Sequence, residues 1–414
     1  MWNKVYELNS KTKIIHNKND SIVMNTLRGQ WFKYPKKLIN LVIKEMEKEK
    51  KIQDIVDSIE NDLERKYIYN LLITMKKLNM IVEREHTKKD NKLTKVTLCL
   101  TNRCNLKCIH CSQEAGTRIS NEEMSFNQVC NIIDILENLS VKTIVLTGGE
   151  IFVRDDIYDI LQYLHKKFSG KVSIMTNGTL INNKDTVKII KKICTQVDIS
   201  LDGHNKESVK KIRGEGVYDK VLYGIKLLKE EKVEKITLSA VEAKGIDVSA
   251  FYDLCNKLEV KPIVRKLDPL GRAIENFDKL DIEKEYMNDE TQDELDEIRR
   301  NINAKSFCTA GEDKIYISEN GDVYPCPILK SEEYKIGNIL SSAFMDYFNE
   351  KSKEILSKLA LCIVDEVDEC SQCDYRYFCT GGCPSADQRL FGKEIYRKQH
   401  CTFNKRLYEK VIWK

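Results

Sequence analysis

Strand-like and helix-like hydrophobic patterns alternate along the chain between residue 95 and about residue 270. The short apolar runs, typical of buried β-strands, are KVTLCL, TIVLTG, KVSIMTNG, QVDISLDG, KITLSAVE and KPIVRKLDP. Between them lie stretches with apolar residues at helical spacing, for example SFNQVCNIIDILENL and DIYDILQYLHKKF. Six such units predict a parallel sheet with right-handed crossovers, either open or curved into a partial (β/α)6 TIM-like barrel.

Residues 1–88 carry a different pattern. KVYELNS, KIIHNK and SIVMNTL are short, β-prone and separated by polar turns such as NKND, which predicts a small antiparallel sheet. Three segments with helical spacing follow: PKKLINLVIKEMEKE, KIQDIVDSIEND and ERKYIYNLLITMKKLNM. A final IVERE could close a wing. We therefore predict a winged-helix-like module, followed by a linker at EHTKKDNKL (85–93).

The C-terminal third changes character again. The charged stretch DIEKEYMNDETQDELDEIRR (281–300) predicts a solvated helix that bridges domains. Beyond it, short elements and many cysteines replace the apolar pattern of a large core. The predicted fold is therefore α/β with three domains: a winged-helix-like module (1–88), a partial barrel (89–300) and a cysteine-rich, metal-held domain (301–414).

Charge and hydropathy narrow the range of partners. The 414 residues include 68 Lys and Arg against 64 Asp and Glu. Nucleic acid is not an expected partner, because phosphate binding needs a concentrated basic surface. The first residues have no apolar core of signal-peptide length, and no later apolar run approaches about 18 residues. We expect a cytoplasmic protein without a membrane partner.

Cysteine is the residue that stands out in the composition. Of 15 cysteines, none precedes Cys99, three lie within 104–111, and eight lie between Cys308 and Cys401. In a reducing compartment such a set favours metal binding over structural disulfides. The uneven distribution predicts two separate metal-binding regions.

The first region is Cys104-X3-Cys108-X2-Cys111, which offers three ligands rather than four. A structural zinc site needs a closed tetrahedral set, and a CX2C redox pair would leave Cys104 without a role. Three thiolates on one loop can hold three irons of a 4Fe–4S cluster and leave the fourth iron open. The spacing favours the cluster, with unconnected core cysteines as the alternative.

Further candidate groups follow the later strands. Gly148, Gly149 and Glu150 end TIVLT, and glycines there permit close approach of the backbone to a ligand, although the motif is more often only a turn. Ser200 and Asp202 of SLDG could hold a ribose or an amino-acid group, or could simply cap the strand. Because the carboxyl ends of parallel strands meet on one face, these motifs should converge with the cysteine loop.

Together these motifs resemble the radical S-adenosylmethionine (SAM) superfamily. CX3CX2C with His110 before its last cysteine, then GGE, then SLDG, is similar to the family signature over residues 95–270. The resemblance implies a 4Fe–4S cluster on the loop cysteines, with the amino and carboxylate groups of SAM chelating the open iron. It also implies cleavage of SAM to a 5′-deoxyadenosyl radical that abstracts an unactivated hydrogen.

The resemblance also implies which residues form the site. The catalytic cluster ligands would be Cys104, Cys108 and Cys111, and the SAM-binding residues would be His110, Gly148, Gly149, Glu150, Ser200, Asp202 and Arg213. Gly148, Gly149 and Glu150 would meet the amino group of SAM. Ser200 and Arg213, the latter in KIRGEG, would contact its carboxylate.

The C-terminal cysteines resemble the SPASM extension of radical SAM enzymes, which carries two auxiliary 4Fe–4S clusters. The order is Cys308-X12-Gly321-X4-Cys326, Cys370-X2-Cys373-X5-Cys379-X3-Cys383 and then Cys401. The resemblance implies a distal cluster on Cys370, Cys373, Cys379 and Cys401, and a proximal cluster on Cys308, Cys326 and Cys383. Zinc is disfavoured, because only the pair Cys370 and Cys373 has the spacing of a zinc knuckle.

Two features depart from the family pattern. Fully ligated relatives have one more cysteine upstream of Cys308, and here none lies between Cys255 and Cys308. Either another group, such as Cys362, an acid or water, completes the proximal cluster, or the open iron binds a substrate thiolate. In sulfatase-maturing relatives an aspartate follows the cysteine of VYPC; here Pro327 follows it, so proton abstraction at that position is not expected.

Residues 1–88 resemble the peptide-recognition element of enzymes that modify ribosomally made peptides, chiefly through IVMNTLRGQWFKYP. A leader peptide would add a strand to the exposed sheet edge and raise the effective concentration of the core peptide. The alternative is a generic winged helix that packs on the enzyme or contacts DNA.

The resemblance implies a maturase that forms an intramolecular thioether, as in sactipeptide and ranthipeptide maturation. Its cofactors would be three 4Fe–4S clusters and SAM, and its partners a precursor peptide and a small electron donor such as flavodoxin or ferredoxin. Carbon–carbon crosslinking, peptide epimerisation and redox-cofactor maturation are the alternatives within the enzyme class. An iron–sulfur electron carrier or a peptide-binding regulator would need neither GGE nor SLDG at strand ends.

Overall fold

The structure is a computed structural model. It describes residues 3–84, 93–116, 123–267, 270–280, 292–304, 310–342, 344, 352–355, 364–365, 368–381 and 393–413. The chain forms two compact units, one made of residues 1–90, 286–309 and 358–414 and the other of residues 91–285 and 310–357. No helix in the described part of the chain is long and apolar enough to cross a membrane.

The N-terminal segment of the first unit contains five strands and three helices. They are β1 (Tyr6–Leu8), β2 (Thr12–Asn17), β3 (Asp20–Asn25), β4 (Trp31–Pro35), α1 (Lys36–Glu47), α2 (Ile52–Asp57), α3 (Asp62–Lys77) and β5 (Ile81–Glu83). Strands β2, β3 and β4 form the antiparallel sheet, and β1 pairs with β5 apart from it. The expectation that KVYELNS shares a sheet with KIIHNK and SIVMNTL is therefore wrong. The third strand is WFKYP, in which Phe32 and Tyr34 pack on one face of the sheet and Trp31 packs on the other.

The two faces of this sheet have different neighbours. Ile22, Val23 and Met24 of β3 are all fully buried. Val23 packs with the helices α1 to α3, whereas Ile22 and Met24 pack with Phe378 of the C-terminal segment. The sheet is therefore the middle layer of the first unit.

The C-terminal part of the first unit is helical. Its described helices are α12 (Gln292–Asn301), α13 (Asp368–Ser371), α14 (Arg376–Cys379) and α15 (Lys393–Val411). The helix expected over 281–300 is described only from Gln292 onward, and residues 281–291 and the linker residues 85–92 lie outside the described residues.

The second unit is built on a sheet of parallel strands. They are β6 (Lys95–Cys99), β7 (Thr143–Thr147), β8 (Lys171–Thr176), β9 (Gln196–Ser200), β10 (Ile236–Glu242) and β11 (Lys261–Lys266). The order along the sheet is β11-β10-β9-β8-β7-β6, and every neighbouring pair is parallel. Leu98, Leu146 and Ile174 form one fully buried row across it. The predicted α/β class with a parallel central sheet is confirmed.

Helices connect these strands. They are α4 (Phe126–Asn138), α5 (Ile157–Lys167), α6 (Lys184–Ile193), α7 (Lys206–Arg213), α8 (Val217–Glu230), α9 (Val248–Lys257), α10 (Arg272–Glu275) and α11 (Phe277–Leu280). Helix α4 begins with a reciprocal capping box between Ser125 and Gln128 and buries Ile132 and Leu136. Such amphipathic helices cover the sheet and leave the strand ends to form the site.

Part of the predicted C-terminal domain extends this same sheet. Strand β12 (Lys314–Ile317) runs parallel to β6, and β13 (Asp322–Tyr324) and β14 (Gly337–Asn338) continue the sheet antiparallel. The observed division into two units thus differs from three consecutive domains, because residues 310–357 belong with the parallel sheet and 358–414 with the N-terminal segment. Backbone pairing in one case and a shared apolar core in the other account for the difference.

Candidate active site at the carboxyl ends of the parallel strands

A cavity of about 280 Å³ opens where the parallel strands end. It is lined by most of the predicted barrel-site residues: Cys104, Cys108, His110, Cys111, Gly148, Gly149, Ser200 and Arg213. Two predicted residues, Glu150 and Asp202, lie behind the cavity wall and are 0% and 1% exposed. The strand-end motifs therefore converge on one face, as expected.

The three cysteines share the loop that follows β6. Cys104 and Cys108 are buried and Cys111 is half-buried, and no disulfide joins any described cysteines. The loop is held by hydrogen bonds from Cys104 N to Gly116 O (2.7 Å) and from Cys111 N to Cys108 O (3.3 Å). Burial raises the pKa of the Cys104 and Cys108 thiols, and the Arg213 guanidinium partly offsets this at Cys108. Metal binding at these thiols would release protons.

The glycines of GGE make room for the cysteine loop. A Cβ at Gly148 would stand 2.5 Å from Thr101 O, and one at Gly149 would stand 2.3 Å from Arg103 O. The same backbones are hydrogen-bonded, since Gly149 N donates to Thr101 O at 2.8 Å. Close approach at these glycines is therefore to the protein's own loop.

The carboxylate of Glu150 is hydrogen-bonded to other groups of the protein. Its carboxylate accepts hydrogen bonds from Thr176 Oγ1 (2.8 Å), Asn177 N (2.7 Å) and Phe152 N (3.2 Å). Burial raises the pKa of Glu150, and these hydrogen bonds oppose the rise. The side chain joins the ends of β7 and β8 and does not line the cavity.

Asp202 pairs with two cavity-lining side chains at once. Its Oδ2 lies 2.6 Å from Arg213 Nε and 2.8 Å from His110 Nε2, and its Oδ1 accepts from Val241 N at 2.6 Å. Burial alone would raise the pKa of Asp202, but Arg213 and His110 hold it well below its ordinary range. Asp202 therefore orients the two groups that face the cavity. It adopts φ +56°, a left-handed conformation that Asp tolerates.

Arg213 and His110, the two partners of Asp202, have further polar atoms that Asp202 does not bind. Arg213 Nη1 lies 3.9 Å from Cys108 Sγ. The buried His110 Nδ1 has no hydrogen-bond partner in the described part of the chain. Ser200 lies nearby at the end of β9, where Ser239 Oγ donates to its hydroxyl at 3.4 Å.

Sequence reasoning missed Arg272, which lies at the start of α10 and fixes the cysteine loop with its side chain. Its Nε donates to Cys108 O (2.9 Å) and its Nη1 to Ala115 O (2.8 Å). The preceding Gly271 has φ +54°, and a Cβ there would lie 2.6 Å from Cys111 O. The signal was the PLGRA stretch after β11, where a glycine and an arginine follow a strand end.

A second group of cysteines lies in the first unit. Cys370, Cys373, Cys379 and Cys401 line one cavity, together with Asn404 and Tyr408. Asn404 Nδ2 donates to Cys379 Sγ at 3.3 Å, and burial raises the pKa of Cys373. The predicted distal ligand set is therefore gathered. Cys326 follows β13, whereas Cys308, Cys362 and Cys383 lie outside the described residues.

Among the described residues, no three His, Cys, Asp or Glu side chains stand close enough to hold one metal ion. Thiolates that bind separate irons of a cluster are spaced more widely than the ligands of one ion. The buried and half-buried thiols around each cavity fit a cluster as a donor set.

Comparison with known proteins agrees with this geometry. Residues 98–258 match the radical SAM superfamily, and residues 308–374 match the SPASM iron–sulfur cluster-binding domain. The chain is 29% identical over 323 residues to the subtilosin biosynthesis protein AlbA of Bacillus subtilis, covering 75% of this chain and 70% of AlbA. It is 28% identical over 306 residues to the mycofactocin maturase MftC of Mycolicibacterium smegmatis, covering 69% of this chain and 77% of MftC.

Solved structures share the fold. The SAM-bound SuiB of Streptococcus suis aligns over 95% of this chain and 99% of its own, with a TM-score of 0.57 at 17% identity. The SAM-bound anSMEcpe aligns over 77% of this chain and 96% of its own, with a TM-score of 0.58 at 19% identity. Both domain matches, the relatives and the cysteine-lined cavity agree, and the chain is a radical SAM enzyme with a C-terminal SPASM iron–sulfur domain.

Proposed function

We propose that this enzyme matures a ribosomally synthesised peptide by forming an intramolecular thioether between a cysteine sulfur and a carbon. The observation that carries the proposal is the cavity that joins the cysteine loop to Ser200 and Arg213. AlbA is named for biosynthesis of the bacteriocin subtilosin, and SuiB has been solved with its precursor peptide SuiA. These relatives support a peptide substrate.

Cys104, Cys108 and Cys111 would hold the SAM-binding 4Fe–4S cluster. When bound, that cluster and SAM supply a radical able to abstract hydrogen from carbon. Arg213 places positive charge beside Cys108 Sγ, where it stabilises a thiolate. Arg213, Ser200 and His110 would orient SAM, with Asp202 fixing both Arg213 and His110. Gly148 and Gly149 line the cavity and would meet the amino group of SAM through their backbone. Glu150 is fully buried and would act indirectly, by holding the ends of β7 and β8 together.

Two auxiliary clusters would complete a set of three. The distal one would use Cys370, Cys373, Cys379 and Cys401, and Asn404 would donate an N–H···S hydrogen bond that tunes its potential. The proximal one would use Cys308, Cys326 and Cys383, and its unfilled position would take the thiolate of the precursor cysteine. Pro327 follows Cys326 and offers no side chain that could accept a proton.

The leader peptide would bind along β4. This strand is one of the two edges of the sheet β2-β3-β4. Asn25 N donates to Gln30 O and Lys36 N donates to Asn19 O, so by alternation the backbone groups of Trp31 and Lys33 face away from β3. These groups can pair with an added strand.

Helix α3 lies beside this edge and offers an apolar wall. Tyr34 Oη donates to Tyr67 O at 2.8 Å, and Leu63 and Tyr67 on α3 are 64% and 50% exposed. A leader peptide with apolar residues on one face would cover both. This module would thus deliver the precursor, while a small flavodoxin or ferredoxin would supply electrons.

A second candidate is a radical modification of a peptide without a thioether. It is supported by MftC, whose identity to this chain is close to that of AlbA.

Mass spectrometry of the precursor after incubation with reduced enzyme and SAM tests the proposal. A thioether removes one hydrogen from sulfur and one from carbon, and it makes the modified cysteine resistant to alkylation. An unmodified carbon skeleton with a free thiol would overturn the proposal. A product whose thiol is still alkylated would favour the second candidate.

A further inference from the structure

Three arginines and no carboxylate side chain belong to the described lining of the strand-end cavity. Two of these arginines are already engaged. Arg213 pairs with Asp202 at 2.6 Å, and Arg272 donates to the carbonyl oxygens of Cys108 and Ala115. Both act on the cysteine side of the cavity.

Arg265 is the third arginine, and it has no such partner. No hydrogen bond or ion pair joins its side chain to any other residue in the described part of the chain. It lies on β11 opposite Val241 of β10, and both residues line the cavity. A partly buried guanidinium without an anion is costly, so this position favours a negatively charged ligand.

The surroundings of Arg265 strengthen the positive potential. Arg265 and Met175 also line a second cavity, at the amino ends of the strands. The charged residues around that cavity are Lys95, Lys171, Lys191, Lys192, Lys232 and Lys235 against Asp198 and Glu234. An excess of cations at a concave site attracts anions and concentrates them there.

We propose that Arg265 binds a carboxylate of the precursor peptide, either an Asp or Glu side chain or the C-terminus, and so places the residue to be modified. This inference rests on the proposed peptide substrate, and it adds that the precursor must carry a carboxylate. The planar guanidinium can hold a carboxylate through two parallel hydrogen bonds, which fixes position as well as charge. SAM also carries a carboxylate, but Arg213, whose Nη1 lies 3.9 Å from Cys108 Sγ, is the arginine beside the thiols of the cysteine loop.

A double-mutant cycle on the reconstituted holoenzyme tests the inference. One arm is Arg265→Met, with Arg265→Lys as the conservative variant and Lys261→Met as the matched control. Lys261 is an exposed cation on the same strand that lines neither cavity. The other arm replaces each precursor Asp or Glu by its amide and amidates the C-terminus.

We expect Arg265→Met to raise the KM for the precursor about tenfold, equivalent to about 1.4 kcal/mol, with a smaller rise for Arg265→Lys and none for Lys261→Met. One precursor amide should raise the KM of the wild-type enzyme by a similar factor and add little to Arg265→Met. Equal iron content per chain in all variants is the folding control.

Each other outcome contradicts the inference. If Arg265→Met weakens SAM binding more than it raises the precursor KM, the carboxylate belongs to SAM. If every precursor amide acts additively with Arg265→Met, Arg265 binds no peptide carboxylate, although the proposed function stands. If the wild-type enzyme leaves the precursor unmodified, both the inference and the proposed function fail.

Discussion

At the scale of single residues, the motifs that mark the site act mostly on the cysteine loop rather than toward the cavity. Gly148 and Gly149 leave space for the carbonyls of Thr101 and Arg103, and Arg272 holds the loop from its other side. The three thiols of this loop would need a rigid frame, because a bound cluster fixes the positions of its ligands. Two substitutions test this structural support, one at Gly149 and one at Asp202.

We expect Gly149→Ala to destabilise the loop by about 1–3 kcal/mol, the usual cost of overpacking. The added Cβ would stand 2.3 Å from Arg103 O and 2.9 Å from Ala115 Cβ. Urea unfolding and iron per chain after anaerobic reconstitution measure the two effects. Gly116→Ala is the matched control, because a Cβ there meets nothing closer than Glu114 O at 4.0 Å. Equal iron content in both variants would contradict the prediction.

Asp202→Asn keeps the shape of the side chain but removes the charge that Arg213 and His110 share. Loss of one partner of a buried ion pair costs about 3–5 kcal/mol. The exposed pair of Lys206 and Asp219 (2.8 Å) provides the control, since Asp219→Asn should cost less than about 1 kcal/mol.

The lowered pKa of Asp202 determines how the effect of Asp202→Asn on the free energy of unfolding depends on pH. The folded-state pKa of Asp202 lies well below its ordinary value, so its charge stabilises the fold above the unfolded Asp pKa of about 4. That contribution is lost only as the pH falls toward the lower folded pKa. The difference in free energy of unfolding between wild type and variant should therefore stay constant from about pH 5 to 7 and shrink in acid. A difference that grows in acid would contradict this account.

At the scale of elements, the sequence predicted what depends on local pattern and missed what depends on distant partners. The parallel strands have apolar centres and motif-bearing ends, so the hydrophobic pattern of the chain was enough to predict them. Strand β1 pairs with β5, Tyr6 opposite Glu83, and nothing in either segment specifies that partner. Arg272 was missed for the same reason, because it binds carbonyls of a loop far away in sequence.

Strand β4 offers a test of leader binding that leaves the sheet intact. Because the backbone N–H of Lys33 faces away from β3, Lys33→Pro removes a donor from the free edge while keeping the β3–β4 ladder. We expect the affinity for a fluorescently labelled leader to fall about tenfold, as measured by anisotropy. Lys33→Thr is the matched control, because it removes the same side chain and keeps the donor. Similar affinities for the two variants would exclude pairing at this edge.

At the scale of the whole molecule, the N-terminal segment shares an apolar core with the cysteines proposed to bind the distal cluster. Trp31 stacks edge-on against Phe378 at 5.3 Å and donates from Nε1 to Ile302 O at 3.0 Å, and Lys13 pairs with Asp365 at 2.9 Å. Phe378 immediately precedes Cys379, and Cys370 and Cys379 pack against the same core. Deleting residues 1–88 would therefore expose this core, and the loss of activity would not report on peptide recognition alone.

Two neighbouring residues of β3 can test whether this segment supports the cysteine-bearing core through one face of its sheet. Ile22 and Val23 are both fully buried, but Ile22 packs against the Phe378 side of the sheet and Val23 against helices α1 to α3. Truncating either residue to Ala leaves a cavity and lowers the free energy of unfolding by several kcal/mol, about 2–5 for Ile.

We expect Ile22→Ala to speed chelator-driven loss of auxiliary-cluster iron more than Val23→Ala does, because only the cavity at position 22 adjoins the cysteine-bearing core. The measurement uses a background in which Cys104, Cys108 and Cys111 are replaced by Ala, so that the decay of visible absorption reports on auxiliary clusters alone. Equal rates in the two variants would show that the two faces of the sheet unfold as one cooperative body, and that the cluster site depends on the whole segment rather than on one of its faces.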